Sequence, residues 1–346
     1  MPTTSKLWTK DFLILSSVNF FLTLIFFLLN ATIALYAVNE FNASTTQAGL
    51  TAGIFIIGAL IGRLFTSPIT NKFGQKRILI TGLSLFILTT LLYFVGNGIP
   101  SLLVSRFLNG ITVGIATTVI GTIVALTIPA SRRGEGIGYF AVSTALGTGI
   151  GPFIGLYLSQ RTSFDMIFTL CLLLGILSLI TAFFVQVPVL EKPDVIEKKS
   201  GFTLSNVIEP KAIPISIMIL MMTFVFSSVL SYINLYALQL NLIEAASFFF
   251  IVYTVAVLIS RPFSGRIIDK KGANFVMYPA FLLFGVGMLL LSVASSNITL
   301  LLAGALIGLG FGNISSVSQT IAVNMVAPHR MGLATATFFI FFDLGN

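Results

Sequence analysis

The stretch Arg261-Pro262-Phe263-Ser264-Gly265-Arg266-Ile267-Ile268-Asp269-Lys270-Lys271-Gly272 closes a long apolar run with basic residues and a glycine. A related stretch stands 198 residues earlier, Ser67-Pro68-Ile69-Thr70-Asn71-Lys72-Phe73-Gly74-Gln75-Lys76-Arg77. At the same offset Arg63 falls on Arg261, Lys72 on Lys270, Gly74 on Gly272, Gly110 on Gly308 and Gly114 on Gly312. Further on, Arg132 falls on Arg330, Gly134 on Gly332, Phe140 on Phe338 and Gly147 on Gly345. A register of leucines would be weak evidence in so apolar a chain. A gap-free register of glycines and arginines across four helices is an internal repeat.

The repeat lies in a chain built for lipid. Hydrophobic residues make up 56% and charged residues 9% of the sequence, and mean hydropathy is +1.02. A water-facing surface needs about 25% charged residues. Apolar runs predict helices at 11–38, 46–70, 77–96, 100–126, 134–159, 163–187, 212–239, 243–268, 274–295, 298–326 and 331–346. The first run is too long for the apolar part of a signal peptide, so it reads as a spanning helix. The linker 188–211 is rich in charge and proline, which separates a bundle over 1–187 from a second over 212–346. The last run is unbroken at Asn346. A second half as long as the first predicts about 40 further residues, completing helix 11 and adding a twelfth.

Charge placement orients the chain. With the N-terminus inside, Lys72, Lys76, Arg77, Arg132, Arg133, Lys270, Lys271 and Arg330 fall on inner loops, while Arg161 is the basic residue outside. The net charge of +8 therefore follows membrane topology and does not mark a nucleic-acid surface. Single Cys171 and His329 exclude an intramolecular disulfide and a histidine-rich metal cluster. With no paired carboxylates, phosphate loop or Ser/His/Asp set, the reading is a non-enzyme without cofactor or metal.

The loops resemble those of the major facilitator superfamily, whose pattern G-x-L-x-D-R-x-G-R-[RK] is approached by Gly265, Asp269, Lys270 and Gly272. The first copy keeps Lys72, Gly74, Lys76 and Arg77, but has Ser67 for glycine and Asn71 for aspartate. The resemblance covers the chain and implies an all-α membrane fold of two six-helix bundles with a site between them. In the family the loop aspartate helps lock the inner gate, so Asn71 implies a weaker first-half lock. Helix 5 carries Gly147, Gly151, Pro152 and Gly155, similar to the G-x-x-x-G-P-x-x-G pattern of antiporters. A kinked, glycine-faced helix there is expected to press on its partner from the other half and seal a leak. Arg106, Gly110 and Gly114 share one face of helix 4, with Arg106 about 9 Å deep at 1.5 Å per residue. An arginine at that position is implicated in proton coupling in the family.

Asp343 is the one acidic residue expected near the midplane, about 18 Å into helix 11. A carboxylate at that depth is a functional hypothesis by default. It is assigned to proton coupling, with Arg106 tuning it or its pathway. Helices 1, 4, 7 and 10 line the cavity in the family. The cavity is therefore assigned Asn30, Tyr36, Asn109, Tyr232, Asn234, Tyr236 and Asn313. The expectation is a monomeric, multi-pass protein of the cell membrane that exports a small organic or lipophilic solute against protons. Two other readings of the same residues stay open: a proton-coupled importer of a sugar or other nutrient, and a transport-inactive sensor on this scaffold.

Overall fold

The computed structural model describes residues 6–187 and 207–346, except the side chains of Asn234, Leu235, Ile243, Glu244 and Ser247. Most of the linker lies outside these residues. The described residues form α1 (Lys10–Phe41), α2 (Thr45–Phe73), α3 (Gln75–Val95), α4 (Ile99–Thr127), α5 (Arg133–Ser159) and α6 (Phe164–Phe183). After the linker come α7 (Ile213–Gln239), α8 (Ile243–Lys271), α9 (Asn274–Ser292), α10 (Asn297–Asn324) and α11 (Met331–Gly345). All eleven match the expected helices in order. The largest departure is at the end of α6, where the helix stops at Phe183 while apolar composition continues.

Ten of these helices are long and apolar enough to cross a bilayer. Their outer faces carry exposed Leu88, Leu173, Phe224, Leu282 and Leu289, which only hydrocarbon can cover at low cost. Inside, one apolar core draws mainly on α1–α6 and another mainly on α7–α11.

The two loop glycines are required by backbone geometry. Gly74 has φ of +84° and Gly272 +92°, values that a side chain makes strained. Gly74 is the single residue between α2 and α3, and Gly272 is one of two between α8 and α9. Glycines of α4 have a different task. A methyl group on Gly110 would strike the carbonyl of Phe55, and one on Gly114 that of Ala59. Gly58 and Gly62 of α2 meet the backbone of Phe107 and Ile111 in return. These two helices touch backbone to backbone, as small residues allow in membranes. The repeat preserves the device, since Gly308 of α10 faces the carbonyl of Tyr253 in α8.

The glycine face of α5 corrects one expectation. Gly147, Gly151 and Gly155 pack on Thr23, Leu24, Phe27 and Leu28 of α1, inside the same half. The contact with the other half is made by Gly149, against Thr254 and Phe250 of α8. Period 3.6 puts Gly149 off the 147/151/155 face, so the pattern alone assigned the wrong partner. α5 stays helical through Pro152.

Candidate functional site: a central cavity and its ion pair

Facing surfaces of the two helix sets enclose a cavity of about 180 Å³. α5 and α11 contribute to it in repeat register: Phe140 and Ala141 from one, Phe338 and Phe339 from the other. Phenyl rings also line it from α1, α2, α7 and α10, at Phe26, Phe27, Phe55, Phe226 and Phe311. Polar groups are few: Asn19, Thr117, Thr144, Ser315, Gln319, Arg63, Arg261 and Asp343 among them. This is an apolar chamber with convergent polar points, the usual form of a small-molecule site.

Asp343, assigned from the sequence to proton coupling and not to the cavity, stands in the cavity wall. Its partner is Arg63 of α2, with Nε donating to Oδ2 at 2.7 Å and Nη2 to Oδ1 at 3.3 Å. Arg63 Nη1 also donates to Thr117 and Thr118 at 3.2 Å each, and the guanidinium lies 4.7 Å from the centre of the Phe339 ring. The fork pairs both carboxylate oxygens and fixes their geometry. The pair joins α2 of one half to α11 of the other, so it reports directly on how the halves sit.

Arg106 does not meet Asp343. It is fully buried within the first half, where Nε donates to the Thr51 carbonyl at 3.1 Å and the guanidinium lies over Phe55 at 4.6 Å. Both of its terminal nitrogens lack a hydrogen-bond partner among the described residues.

The seven expected cavity residues lie elsewhere or outside description. Asn30 is exposed. Tyr36 packs edge-on against Phe41 and Phe168 and tilted against Phe164, at the opposite end of the first half from its basic loops. Asn109 is buried on Thr89 and Thr90 of α3. Tyr232 is 62% exposed, Tyr236 donates to the Leu291 carbonyl of α9, and Asn313 donates to Ser260 and the Leu309 carbonyl. The Asn234 side chain is not described. Helices 1, 4, 7 and 10 do line the cavity, but so do α2, α5, α8 and α11, and the residues that face it are others. Asn19 lines the cavity from α1 and donates to Ser143 and Thr144 of α5 at 2.8 and 2.9 Å, while Asn30 lies on the same face three turns further along, outside the cavity lining. The missed residues Arg63 and Arg261 had a signal in the sequence, since each is a charge deep within a helix kept by the repeat.

A second set of contacts ties the halves at the end carrying the basic loops. Asp269, at the end of α8, accepts from the backbone N–H of Gly134 at 2.7 Å and of Glu135 at 2.8 Å. These are free donors of the first turn of α5, where a carboxylate also meets the positive end of the helix dipole. Gly265 lies against the Glu135 backbone. Glu135 pairs with Arg132 at 2.7 Å and with Arg266 at 3.2 Å, and Arg133 donates to Asn324 of α10 at 2.8 Å. Asn71, the counterpart of Asp269, is exposed, as are Lys72, Gly74, Lys76, Arg77, Lys270 and Gly272. The end of the linker also differs from a solvated loop: Glu209 is 2% exposed and pairs with Arg330 at 2.5 Å.

The model of the Major Facilitator Superfamily matches residues 15–346. The chain is 27% identical over 319 residues to an uncharacterised MFS-type transporter of Methanocaldococcus jannaschii, covering 90% of this chain and 82% of that one. It is 23% identical over 313 residues to multidrug resistance protein 2 of Bacillus subtilis, covering 86% and 78%. The fold is similar to that of the proton:xylose symporter XylE, with a TM-score of 0.76, 14% identity and coverage of 97% and 86%. With the repeat, the two-core architecture and the central cavity, these matches place the chain in the major facilitator superfamily of membrane transporters.

Proposed function

We propose that this chain is a proton-coupled secondary transporter that exports a small organic solute by alternating access. The observation that carries the reading is the Arg63–Asp343 pair in the wall of a cavity between the two halves. Protonation of Asp343 would free Arg63 from its partner, and deprotonation would restore the pair. A protonation switch that makes and breaks a bond between α2 and α11 couples proton binding to the relative position of the halves. The helix-5 glycine-proline pattern and the multidrug name of the Bacillus relative support export. The positive loops support an orientation with the N-terminus and the basic end in the cytoplasm, in the cell membrane. One chain holds both halves, so a monomer suffices.

Direction is testable. Inverted membrane vesicles made acidic inside should accumulate lipophilic efflux dyes, and a protonophore should abolish the accumulation. Uptake confined to right-side-out vesicles under an inward proton gradient would overturn export.

In this reading Asp269 belongs to the inner gate. Its two charge-assisted hydrogen bonds to α5 are each worth about 1.5–3 kcal/mol. Asp269→Ala should therefore raise labelling of a Ser264→Cys reporter by N-ethylmaleimide from the cytoplasmic side by at least about tenfold, equivalent to roughly 1.4 kcal/mol. Background is low because native Cys171 is fully buried. Unchanged labelling would remove Asp269 from the gate.

A further inference from the structure

The repeat places two arginines at equivalent points, but gives a carboxylate to only one. Arg63 has Asp343; under the repeat the position equivalent to Asp343 is Ala145. The rest of the setting is repeated. Arg63 donates to Thr118 and Arg261 to Ser316, which is the residue at the Thr118 position. Arg261 also donates to the Gly312 carbonyl at 2.9 Å, while its Nε has no partner. It is 2% exposed, borders the cavity, and has no carboxylate within ion-pair distance among the described residues. Neutral acceptors satisfy some of its donors but leave its charge uncompensated. A buried cation in a membrane protein is costly without a counter-charge.

We infer that Arg261 is the recognition point for the substrate's anionic group, and that the cavity takes organic anions with an aromatic or other apolar body. The charge balance of the cavity supports this class. Arg63 and Asp343 cancel, so Arg261 leaves the chamber net positive. The phenyl walls would cover the apolar body, and the anion would supply the counter-charge that Ala145 omits. A cationic solute would meet Arg261 unscreened, with Asp343 already engaged.

This inference rests on the proposed transport cavity, but its test reads binding alone. Binding of 2-naphthoate, 2-naphthamide and 2-naphthylmethylammonium to the purified full chain is measured at one pH in detergent. Naphthoate is expected to bind at least tenfold more tightly than the amide, and the ammonium more weakly than both. Arg261→Gln should erase the preference and Arg261→Lys keep part of it. Ala145→Asp is an independent variant: it leaves Arg261 in place, supplies the missing carboxylate, and should reduce naphthoate affinity at least tenfold while sparing the amide. Equal affinities for naphthoate and amide, preference for the ammonium, no binding of any probe, or naphthoate preference unchanged in both Arg261→Gln and Ala145→Asp would each overturn the inference. Loss of gradient-driven transport with anion binding intact would instead count against the transport reading.

Discussion

Asp343→Asn is expected to abolish solute transport driven by a proton gradient while leaving solute binding measurable. Asparagine keeps the volume and can still accept from Arg63, so the cavity shape is retained. What it loses is the exchangeable charge that pairs with Nε and Nη2 of Arg63. Gradient-driven flux in proteoliposomes should fall at least about a hundredfold, as a coupling group lost outright removes more than the roughly 2.7 kcal/mol which that factor represents. Counterflow without a gradient should persist. Removing one member of a buried pair typically costs about 3–5 kcal/mol. The pair here borders a cavity, with side-chain exposures of 9% and 14%, and Arg63 keeps Thr117 and Thr118. The loss of stability should therefore lie below that range. Arg63→Gln leaves the carboxylate without its counter-ion and should destabilise more. The double variant should be more stable than the sum of the two single losses predicts, because each single change strands a charge that the other removes. Wild-type gradient-driven flux in Asp343→Asn would sink the coupling assignment.

Gly110→Ala carries the second large effect, and it acts on folding. The added methyl would lie in the van der Waals space of the Phe55 carbonyl, with the Ala59 nitrogen next in line. These are backbone atoms of α2 and cannot rotate away, unlike a side chain. Overpacking of a tight core costs about 1–3 kcal/mol, and the upper end applies where the obstacle is backbone. Gly110→Val should exceed it and prevent recovery of a monodisperse protein. Gly53→Ala is the matched control in α2, because nothing lies within 4 Å of its added methyl. It should be neutral or mildly stabilising, since alanine favours the helix by up to about 1 kcal/mol. Thermal unfolding of the purified variants decides the matter. Equal midpoints for Gly110→Ala and Gly53→Ala would mean that α2 and α4 do not meet as described.

These predictions draw on different levels of the molecule. Helix order, the repeat and the loop glycines were legible in the sequence. Each depends on a property carried along the chain itself: apolar run length, residue identity at a fixed offset, or backbone freedom at one position. Tertiary structure alone decided the partners. Asp343 pairs with Arg63 and not Arg106, though both arginines lie within helices of the first half. Gly147, Gly151 and Gly155 face α1 while Gly149 faces α8. In a helix that is apolar on every side, hydropathy gives no azimuth, because lipid and protein core are equally apolar. The sequence therefore determined a two-fold repeated membrane transporter with a carboxylate inside its eleventh helix. The direction each helix turns its polar stripe, and hence which arginine pairs with Asp343, was settled only by packing the two halves together.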